Sequence, residues 1–240
     1  MRSGALHVLL GLFLLAAPAR AGATEDLHYH WRLQGFLGAI AGLFFPHEGF
    51  GQLTTTTLEN GHLRCELVIT AEDKGPDFWR YGAELDPVAG HTVRAWTSYH
   101  FRDRERAEES QLDANTEKGV VDIASSINVL RRNPVKERVE WHIWSDGKLY
   151  PVEVVPGPVE GLRIAGRQVP ARHYWVRGIE LPGERLWKGH LELWLALDEV
   201  STPVRILVER SFASVLLELQ PGGPAADEAP FAPASPPSEP

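Results

Sequence analysis

The residues of this sequence that suggest metal chemistry are four histidines. His28 and His30 lie two apart, so on a β-strand they point to one face, where two imidazoles could begin a metal site. The sequence places no third ligand beside them, whereas protein zinc sites use three or four. His142 and His190 also alternate with the apolar residues of their own segments. We interpret all four as residues of a polar strand face and expect no metal site.

A second candidate is Asp122 with Ser125, a carboxylate and a hydroxyl three residues apart. Ser125 lies in no Gly-x-Ser-x-Gly motif, and the third residue after it is Asn128, not the lysine of Ser-x-x-Lys. The same spacing is typical of a helix N-cap and the third helical residue. We therefore predict a helix cap at Asp122 and not a nucleophile at Ser125.

No other residues form a catalytic or cofactor motif. Glu140, Glu153, Glu160 and Glu192 have no surrounding pattern that pairs them for glycoside hydrolysis, and His-Glu-x-x-His, Gly-x-Gly-x-x-Gly and phosphate loops are absent from the sequence. The single cysteine, Cys65, excludes a disulfide framework and a four-cysteine zinc site. It alternates with apolar residues, which predicts a buried free thiol. We expect no catalytic residue and no cofactor, and an unrecognised hydrolase stays as the minor alternative.

Composition limits the class of partner. The chain has 240 residues, with 24 Lys+Arg against 32 Asp+Glu and a net charge of −8. A general nucleic-acid binder is excluded by this balance, because its affinity comes from clustered basic residues. A hydrophobic share of 43% is that of an ordinary globular domain.

The N-terminus resembles a secretory signal peptide over residues 1–21. Arg2 precedes an apolar stretch, and small residues allow cleavage after Ala21 or Ala23. An uncleaved anchor helix is the alternative, but the apolar stretch is about half of the roughly 20 residues that span a bilayer. No cysteine follows for lipid attachment. We expect secretion, to the periplasm of a Gram-negative bacterium, with no membrane-spanning segment after cleavage.

Residues 25–220 are predicted to form a single domain, and the proline- and alanine-rich residues 221–240 a disordered tail. Within the domain, apolar residues recur with a period of two, which indicates β-strands with one buried face. The clearest runs are residues 27–33, 63–69, 139–143, 187–197 and 204–212. The run 187–197 would be roughly 30 Å long as a strand, which favours a strongly bent sheet or barrel.

Turn signals at residues 59–61, 145–148, 164–167 and 181–184 predict hairpins and therefore antiparallel pairing. Residues 122–132 have helical spacing, two arginines in the last turn, and Pro134 beyond. The charged residues 102–118 are predicted to be a solvent-exposed strand end and loop. Residues 39–45, apolar and glycine-rich, are either a buried strand or a bent crossing. The predicted fold class is all-β: a strongly curved antiparallel sheet forming a closed or half-open barrel, with one short helix at 122–132 covering an end.

Several short motifs occur in a fixed order along the domain. They are a Tyr-x-Trp strand (Tyr29, Trp31), an Asp-x-x-Ser helix ending in Leu-Arg (Asp122, Ser125, Leu130, Arg131), an Asp-Gly-Lys turn (Asp146, Gly147, Lys148), and a Leu-Trp-Leu strand followed by Asp and Pro-Val-Arg-Ile (Leu193, Trp194, Leu195, Asp198, 203–206). In this order the sequence resembles the secreted bacterial domain-of-unknown-function family 3108. The resemblance implies a curved antiparallel β protein of the Gram-negative envelope and carries no known activity. The last motif is also similar to envelope lipoprotein carriers, whose half-open barrels hold acyl chains.

Several aromatic residues lie an odd number of positions apart, such as Tyr174 with Trp175 and Trp141 with Trp144. On a β-strand such residues point to opposite faces of the sheet. A filled core and a cavity for an apolar ligand are both compatible with this pattern. We favour a non-enzymatic envelope protein that holds an apolar or amphipathic small molecule, such as a lipid with its acyl chain, in the curved sheet. The residues predicted to line the ligand space are Trp31, Trp141, Ile143, Leu191, Leu193 and Ile206. The alternative is a structural or assembly factor that docks another envelope protein.

Overall fold

The computed structural model describes residues 22–34, 46–71, 77–101, 103–112, 119–210 and 213–221. These residues form strands and one helix, α1. The elements in chain order are β1 (Thr24–Gln34), β2 (Glu48–Thr57), β3 (Leu63–Thr70), β4 (Phe78–Asp86), β5 (His91–Phe101), β6 (Arg104–Gln111), β7 (Val120–Val121), α1 (Ile123–Arg132), β8 (Val139–Ser145), β9 (Lys148–Ile164), β10 (Arg167–Gly178), β11 (His190–Ala196), β12 (Pro203–Arg210) and β13 (Ala213–Leu219).

All the strands belong to one curved sheet, in the order β6-β5-β4-β3-β2-β1-β13-β12-β11-β10-β9-β8-β7. Neighbouring strands are antiparallel, except that the short β7 runs parallel to β8. The predicted all-β curved sheet is confirmed. In the part of the chain that the structure describes, the edge strands β6 and β7 do not pair with each other, so the barrel is half-open and not closed.

The helix begins where the sequence predicts. The Asp122 side chain accepts a hydrogen bond from the Ser125 backbone N–H (2.6 Å), and the Ser125 hydroxyl accepts one from the Asp122 backbone N–H (2.8 Å). This reciprocal pair is a capping box, which satisfies two backbone donors that the first turn leaves unpaired. Arg131 and Arg132 occupy the last turn, where cations interact favourably with the helix dipole.

Helix α1 covers one end of the curved sheet, which we call the helix end. Its side chains contact successive strands around the sheet: Ser125 bonds to Thr92 of β5, Asn128 to Thr55 of β2, and Arg131 to Glu25 of β1. The opposite end, where β1, β3, β5 and β12 finish and β2, β4, β6 and β13 begin, we call the far end. The predicted position of the helix over one end is confirmed.

The main apolar core lies between this helix and the concave, inner face of the sheet. Tyr29 and Trp31 are buried in it together with Leu67 of β3 and Ile206 of β12. Cys65 is also buried there and is a free thiol, and burial raises its pKa, so the thiolate is disfavoured. The period-two pattern therefore identified the inner face of these strands correctly.

Two sequence predictions differ from the structure. The strand expected over 187–197 is only His190–Ala196, because Trp187 turns back so that its indole lies on Gly189. The charged stretch expected to be a strand end and loop contains a complete strand, β6, which pairs with β5 along its length. Residues 39–45, 1–21 and 222–240 lie outside the described residues.

Strands β9 and β10 form a long hairpin that carries a second, smaller apolar cluster. Its buried members are Leu162, Ile164, Val169, Ala171, Trp194, Ala196 and Val204. The pairing of β9 with β10 shifts by one residue at His173, which marks a β-bulge. A bulge bends the strand locally and re-aims its side chains, and here it places His173 between two tryptophans.

Candidate functional site

The inner face at the far end carries aromatic side chains that the core does not fully bury. Trp79 of β4 pairs with the buried Ile69 and with Tyr99 of β5, so Tyr99 lies on the same inner face. Phe101, two residues on, stacks on Trp79 with ring centroids 6.3 Å apart. Trp79, Tyr99 and Phe101 are all half-buried. They form an aromatic wall on the side of the sheet built by β4 and β5.

The other half of the sheet contributes further half-buried apolar residues. Leu33 of β1 pairs with Val215 of β13, and both pack against the main core. Tyr150 of β9 pairs with the fully buried Ile143, which places it on the inner face as well. With the aromatic wall, these residues make the far end of the inner face apolar on both halves of the sheet.

The six residues predicted to line a ligand space are brought together by the fold. Trp31, Ile143, Leu191, Leu193 and Ile206 are fully buried members of the main core, and Trp141 is half-buried and packs against it. They lie on the inner face, as the prediction requires. A role in ligand contact stays a prediction for them, because five of the six are enclosed by other protein side chains.

Buried polar groups in the middle of the core have protein partners. The Trp31 indole N–H donates to the Thr70 carbonyl (2.6 Å), and the Tyr29 hydroxyl donates to the Pro203 carbonyl (2.8 Å). Burial raises the pKa of Tyr29, which keeps the phenol neutral. This part of the inner face therefore behaves as a satisfied core, and the half-buried residues of the far end are the better candidates for ligand contact.

Sequence reasoning missed Trp79, Tyr99, Phe101 and Tyr150. The alternation of Thr97, Tyr99 and Phe101 with polar residues was a usable signal, since it places two aromatics on one face of a strand. The half-burial of these residues could not be read from the sequence, because it depends on how far the core fills the curved sheet.

A polar cluster on the outer face surrounds His173. Its Nδ1 lies 3.1 Å from a Glu160 oxygen and its Nε2 lies 2.7 Å from a Glu192 oxygen, while Trp175 and Trp194 cover the ring with centroids 4.0 Å away. Both ring nitrogens of His173 therefore have a carboxylate partner, one from β9 and one from β11. The groups are joined to one another and His173 is buried, which indicates a structural link between the β9–β10 hairpin and β11.

The histidines and the Asp122–Ser125 pair show no catalytic arrangement. His190 bonds to Glu192 (2.9 Å), and His30 lies 3.6 Å from Glu48 on the outer face. Ser125 is fully buried, and its hydroxyl bonds to the cap and to a neighbouring threonine, so no substrate reaches it. Over the described ranges, no group of three or more His, Cys, Asp or Glu side chains is arranged to hold a metal ion.

Comparisons with known proteins identify no family. No protein-family model matches the sequence, and no curated protein matches it. The resemblance to family 3108 therefore gains no support and stays an expectation from the motifs. No helix in the described part of the chain has the length and apolar character needed to cross a membrane.

Two of the solved structures that are similar to this chain have low sequence identity to it. One is a β-barrel-like protein of domain of unknown function DUF1849 from Brucella abortus, with 9% identity, 84% of this chain and 97% of that chain covered, and a TM-score of 0.40. The other is the hypothetical lipoprotein YmcC from Escherichia coli, with 12% identity, 81% and 86% covered, and a TM-score of 0.38. Similarity at this level establishes neither the family nor the function of this chain.

Proposed function

We propose that this protein is a non-enzymatic binding protein of the bacterial cell envelope. It holds an apolar or amphipathic ligand against the inner face of the curved sheet, at the far end. The observation that supports the proposal is the asymmetry of the two ends. Helix α1 fills the helix end with buried side chains, whereas at the far end Trp79, Tyr99 and Phe101 stay half-buried on the inner face.

The sequence supports the cellular location in this proposal. Residues 1–21 direct export to the periplasm and are removed after Ala21 or Ala23, and residues 25–220 form the binding domain. A carrier of apolar molecules in a compartment between two membranes must shield its ligand from water. The aromatic wall at the far end suits that task.

The expected affinity follows from the size of the ligand. Each methylene group removed from water contributes about 0.8 kcal/mol, so a chain of ten contributes about 8 kcal/mol before the costs of association. Those costs are at least about 4 kcal/mol. The difference of about 4 kcal/mol corresponds to a dissociation constant near 1 mM, and additional contacts to a head group or to aromatic rings tighten it.

The alternative, an assembly factor that docks another envelope protein, would use the edge strand β6. Five of its eight residues are charged: Arg104, Glu105, Arg106, Glu108 and Glu109. Charged side chains on an edge strand discourage the addition of another strand. The structure therefore favours the binding protein over docking through β6.

The test is the fluorescence of N-phenyl-1-naphthylamine, an uncharged apolar probe, titrated with the chain lacking residues 1–21. We expect saturable binding that Trp79→Ala weakens, because this substitution removes the centre of the aromatic wall. The matched control is Phe50→Ala, which removes an aromatic ring from the outer face, where Phe50 is 49% exposed. Absence of saturable binding, or equal loss in the two variants, would contradict the proposal. Circular dichroism verifies that both variants are folded.

A further inference from the structure

The inner face at the far end has charged side chains on strand β6. Tyr99 lies on the inner face and pairs with Arg106, and Phe101 lies on the inner face and pairs with Arg104. Residues paired across an antiparallel ladder point to the same face. By alternation, Arg104, Arg106 and Glu108 all belong to the inner face, next to the aromatic wall.

Arg106 and Glu108 form an ion pair at this position. The Arg106 Nε and Nη2 atoms donate to one Glu108 oxygen, at 3.2 and 3.1 Å. The two side chains are 52% and 38% exposed, so the pair is solvated and not locked in the core. A ligand that enters the far end meets this pair beside the rings of Trp79 and Phe101.

The β8–β9 turn faces β6 across the open side of the barrel. A Cβ added at Gly147 would lie 3.4 Å from a Glu108 oxygen, which shows that the turn and the edge strand are close. Lys148 follows this glycine and pairs with Ser145. Tyr150, two residues after Lys148 on the same strand, pairs with Ile143 on the inner face. Alternation therefore assigns Lys148 to the inner face as well.

The region between β6 and the β8–β9 turn, which we call the cationic seam, carries more positive than negative charge. Arg104, Arg106 and Lys148 contribute three positive charges, and Glu108 with Asp146 of the turn contributes two negative charges, in a protein whose net charge is −8. Six neighbouring inner-face residues of β1, β4, β5, β9 and β13 are apolar: Leu33, Trp79, Tyr99, Phe101, Tyr150 and Val215. The far end thus places a cationic seam beside an apolar wall.

We propose that the ligand is a single-chain amphiphile with an anionic head group, a carboxylate or a phosphate, an inference that rests on the proposed function. The head group lies at the seam between β6 and the β8–β9 turn, where the planar guanidinium of Arg106 binds an oxyanion through two N–H donors. The chain lies against Trp79 and Phe101. An uncharged hydrocarbon would displace water from the charged side chains of the seam. It would offer them no hydrogen bonds in exchange, and this costs free energy.

The experiment displaces N-phenyl-1-naphthylamine from the chain lacking residues 1–21, at low salt and pH 8. The competitors are decanoate, decanol and decyltrimethylammonium, which share a ten-carbon chain and differ in the charge of the head group. We expect decanoate to displace the probe at about tenfold lower concentration than the other two, since one charge-assisted hydrogen-bonded contact contributes about that factor. Salt at 0.5 M should reduce this preference, because exposed charges are screened.

Substitutions distinguish the effect of the seam residues on ligand preference from the effect of the protein's overall charge. Arg106→Gln and Lys148→Gln should each reduce the preference for decanoate and leave displacement by decanol unchanged. The control is Arg80→Gln on the outer face, where the Arg80 guanidinium lies 5.4 Å from the Phe78 ring centroid. It should leave all three competitors unchanged.

Each outcome decides the proposal. Equal displacement by the three competitors, a preference for decyltrimethylammonium, or a preference for decanoate that survives both seam substitutions overturns the assignment of the head group while the proposed function stands. If the probe does not bind at all, the proposed function and the assignment of the head group fall together.

Discussion

The buried carboxylate at the start of helix α1 leads to the prediction that removing its charge stabilises the folded protein. The Asp122 side chain is 1% exposed, and one of its oxygens accepts the Ser125 backbone N–H at 2.6 Å. Its other oxygen has no hydrogen-bond partner within the described residues. Burial therefore raises the pKa of Asp122, although the hydrogen bonds from Ser125 lower it. The cap needs the oxygen atom, but the buried negative charge is a cost to the folded state.

Two substitutions separate the cap from the charge. Asp122→Ala removes the accepting oxygen, and loss of a helix cap destabilises a protein by about 1–2 kcal/mol. For a domain of this size that corresponds to about 2–8 °C in Tm. Asp122→Asn keeps a cap oxygen in the same place and removes the charge, since asparagine caps helices as well as aspartate. We therefore expect Asp122→Asn to be more stable than the wild-type protein at pH 8, and Asp122→Ala to be less stable.

The pH dependence follows from the direction of the pKa shift. A carboxyl group whose pKa is higher in the folded state contributes stability that is complete below its unfolded value, near 3.8, and is lost as pH rises through the folded value. The wild-type protein loses this contribution with rising pH and Asp122→Asn does not. The stability advantage of Asp122→Asn should therefore grow from pH 4 to pH 8.

Urea denaturation followed by circular dichroism at pH 4 and pH 8 measures both effects. The Asp122→Ala variant is the matched control, because it removes the charge as Asp122→Asn does and removes the cap oxygen as well, so the difference between the two variants measures the cap at each pH. The reasoning would be refuted if Asp122→Asn were destabilised as much as Asp122→Ala at pH 8. A difference between Asp122→Asn and wild type that stayed flat between the two pH values would refute it equally.

Four further substitutions, one of them a control, test contacts that hold the fold together. Arg131→Met should cost about 2–3 kcal/mol in denaturant unfolding, because it removes two hydrogen bonds to Glu25 at 2.7 and 2.8 Å from a nearly buried guanidinium; an unchanged midpoint would contradict this. Gly49→Ala should cost about 3 kcal/mol or more, since its Cβ would collide with backbone carbonyl oxygens of the next strand. Gly161→Ala, whose nearest neighbour would be a side-chain tip at 3.6 Å, should be nearly neutral, and equal shifts in Tm would show the packing argument to be wrong. His173→Phe keeps the stacked ring but removes one hydrogen-bond partner each from Glu160 and Glu192, which keep Trp194 and His190, so calorimetry at pH 7 should show a loss of about 2 kcal/mol; a neutral result would mean that stacking alone holds the hairpin.

Features with a local physical cause could be predicted from the sequence. The cap at Asp122 was predictable because capping depends on residues three positions apart. The strands that bury one face were predictable because their apolar residues alternate, as around Tyr29 and Trp31. The burial of Cys65 followed from the same alternation. These features need no knowledge of distant parts of the chain.

Features that depend on distant contacts could not be predicted in this way. Strand β6 is polar on both faces, so no hydrophobic period marks it, and its strand conformation comes from pairing with β5. Trp187 fits the alternating apolar pattern from which a strand was predicted. It lies outside the strand, however, with its indole ring packed on Gly189. The link from Glu160 through His173 to Glu192 arises from a bulge, which the sequence does not mark.

The candidate site was predicted only in outline. The six residues expected to line it do share the inner face. The residues that stay half-buried there include Trp79 and Phe101. They lie on β4 and β5, and the position of these strands relative to the others is known only from the strand order of the sheet. The cationic seam combines Arg106 of the edge strand β6 with Lys148 of β9, which follows the turn that lies close to β6. Their proximity to one ligand space depends on how the whole sheet curves.

The most direct test of the central claim is mass spectrometry of organic extracts from the protein purified without detergent after export. The account predicts a stoichiometric amphiphile with an anionic head group in the extract of the wild-type protein, and a reduced amount in the extract of Trp79→Ala. A wild-type protein that carries no such molecule and also fails to bind N-phenyl-1-naphthylamine would contradict the claim that the far end of the sheet is a ligand site.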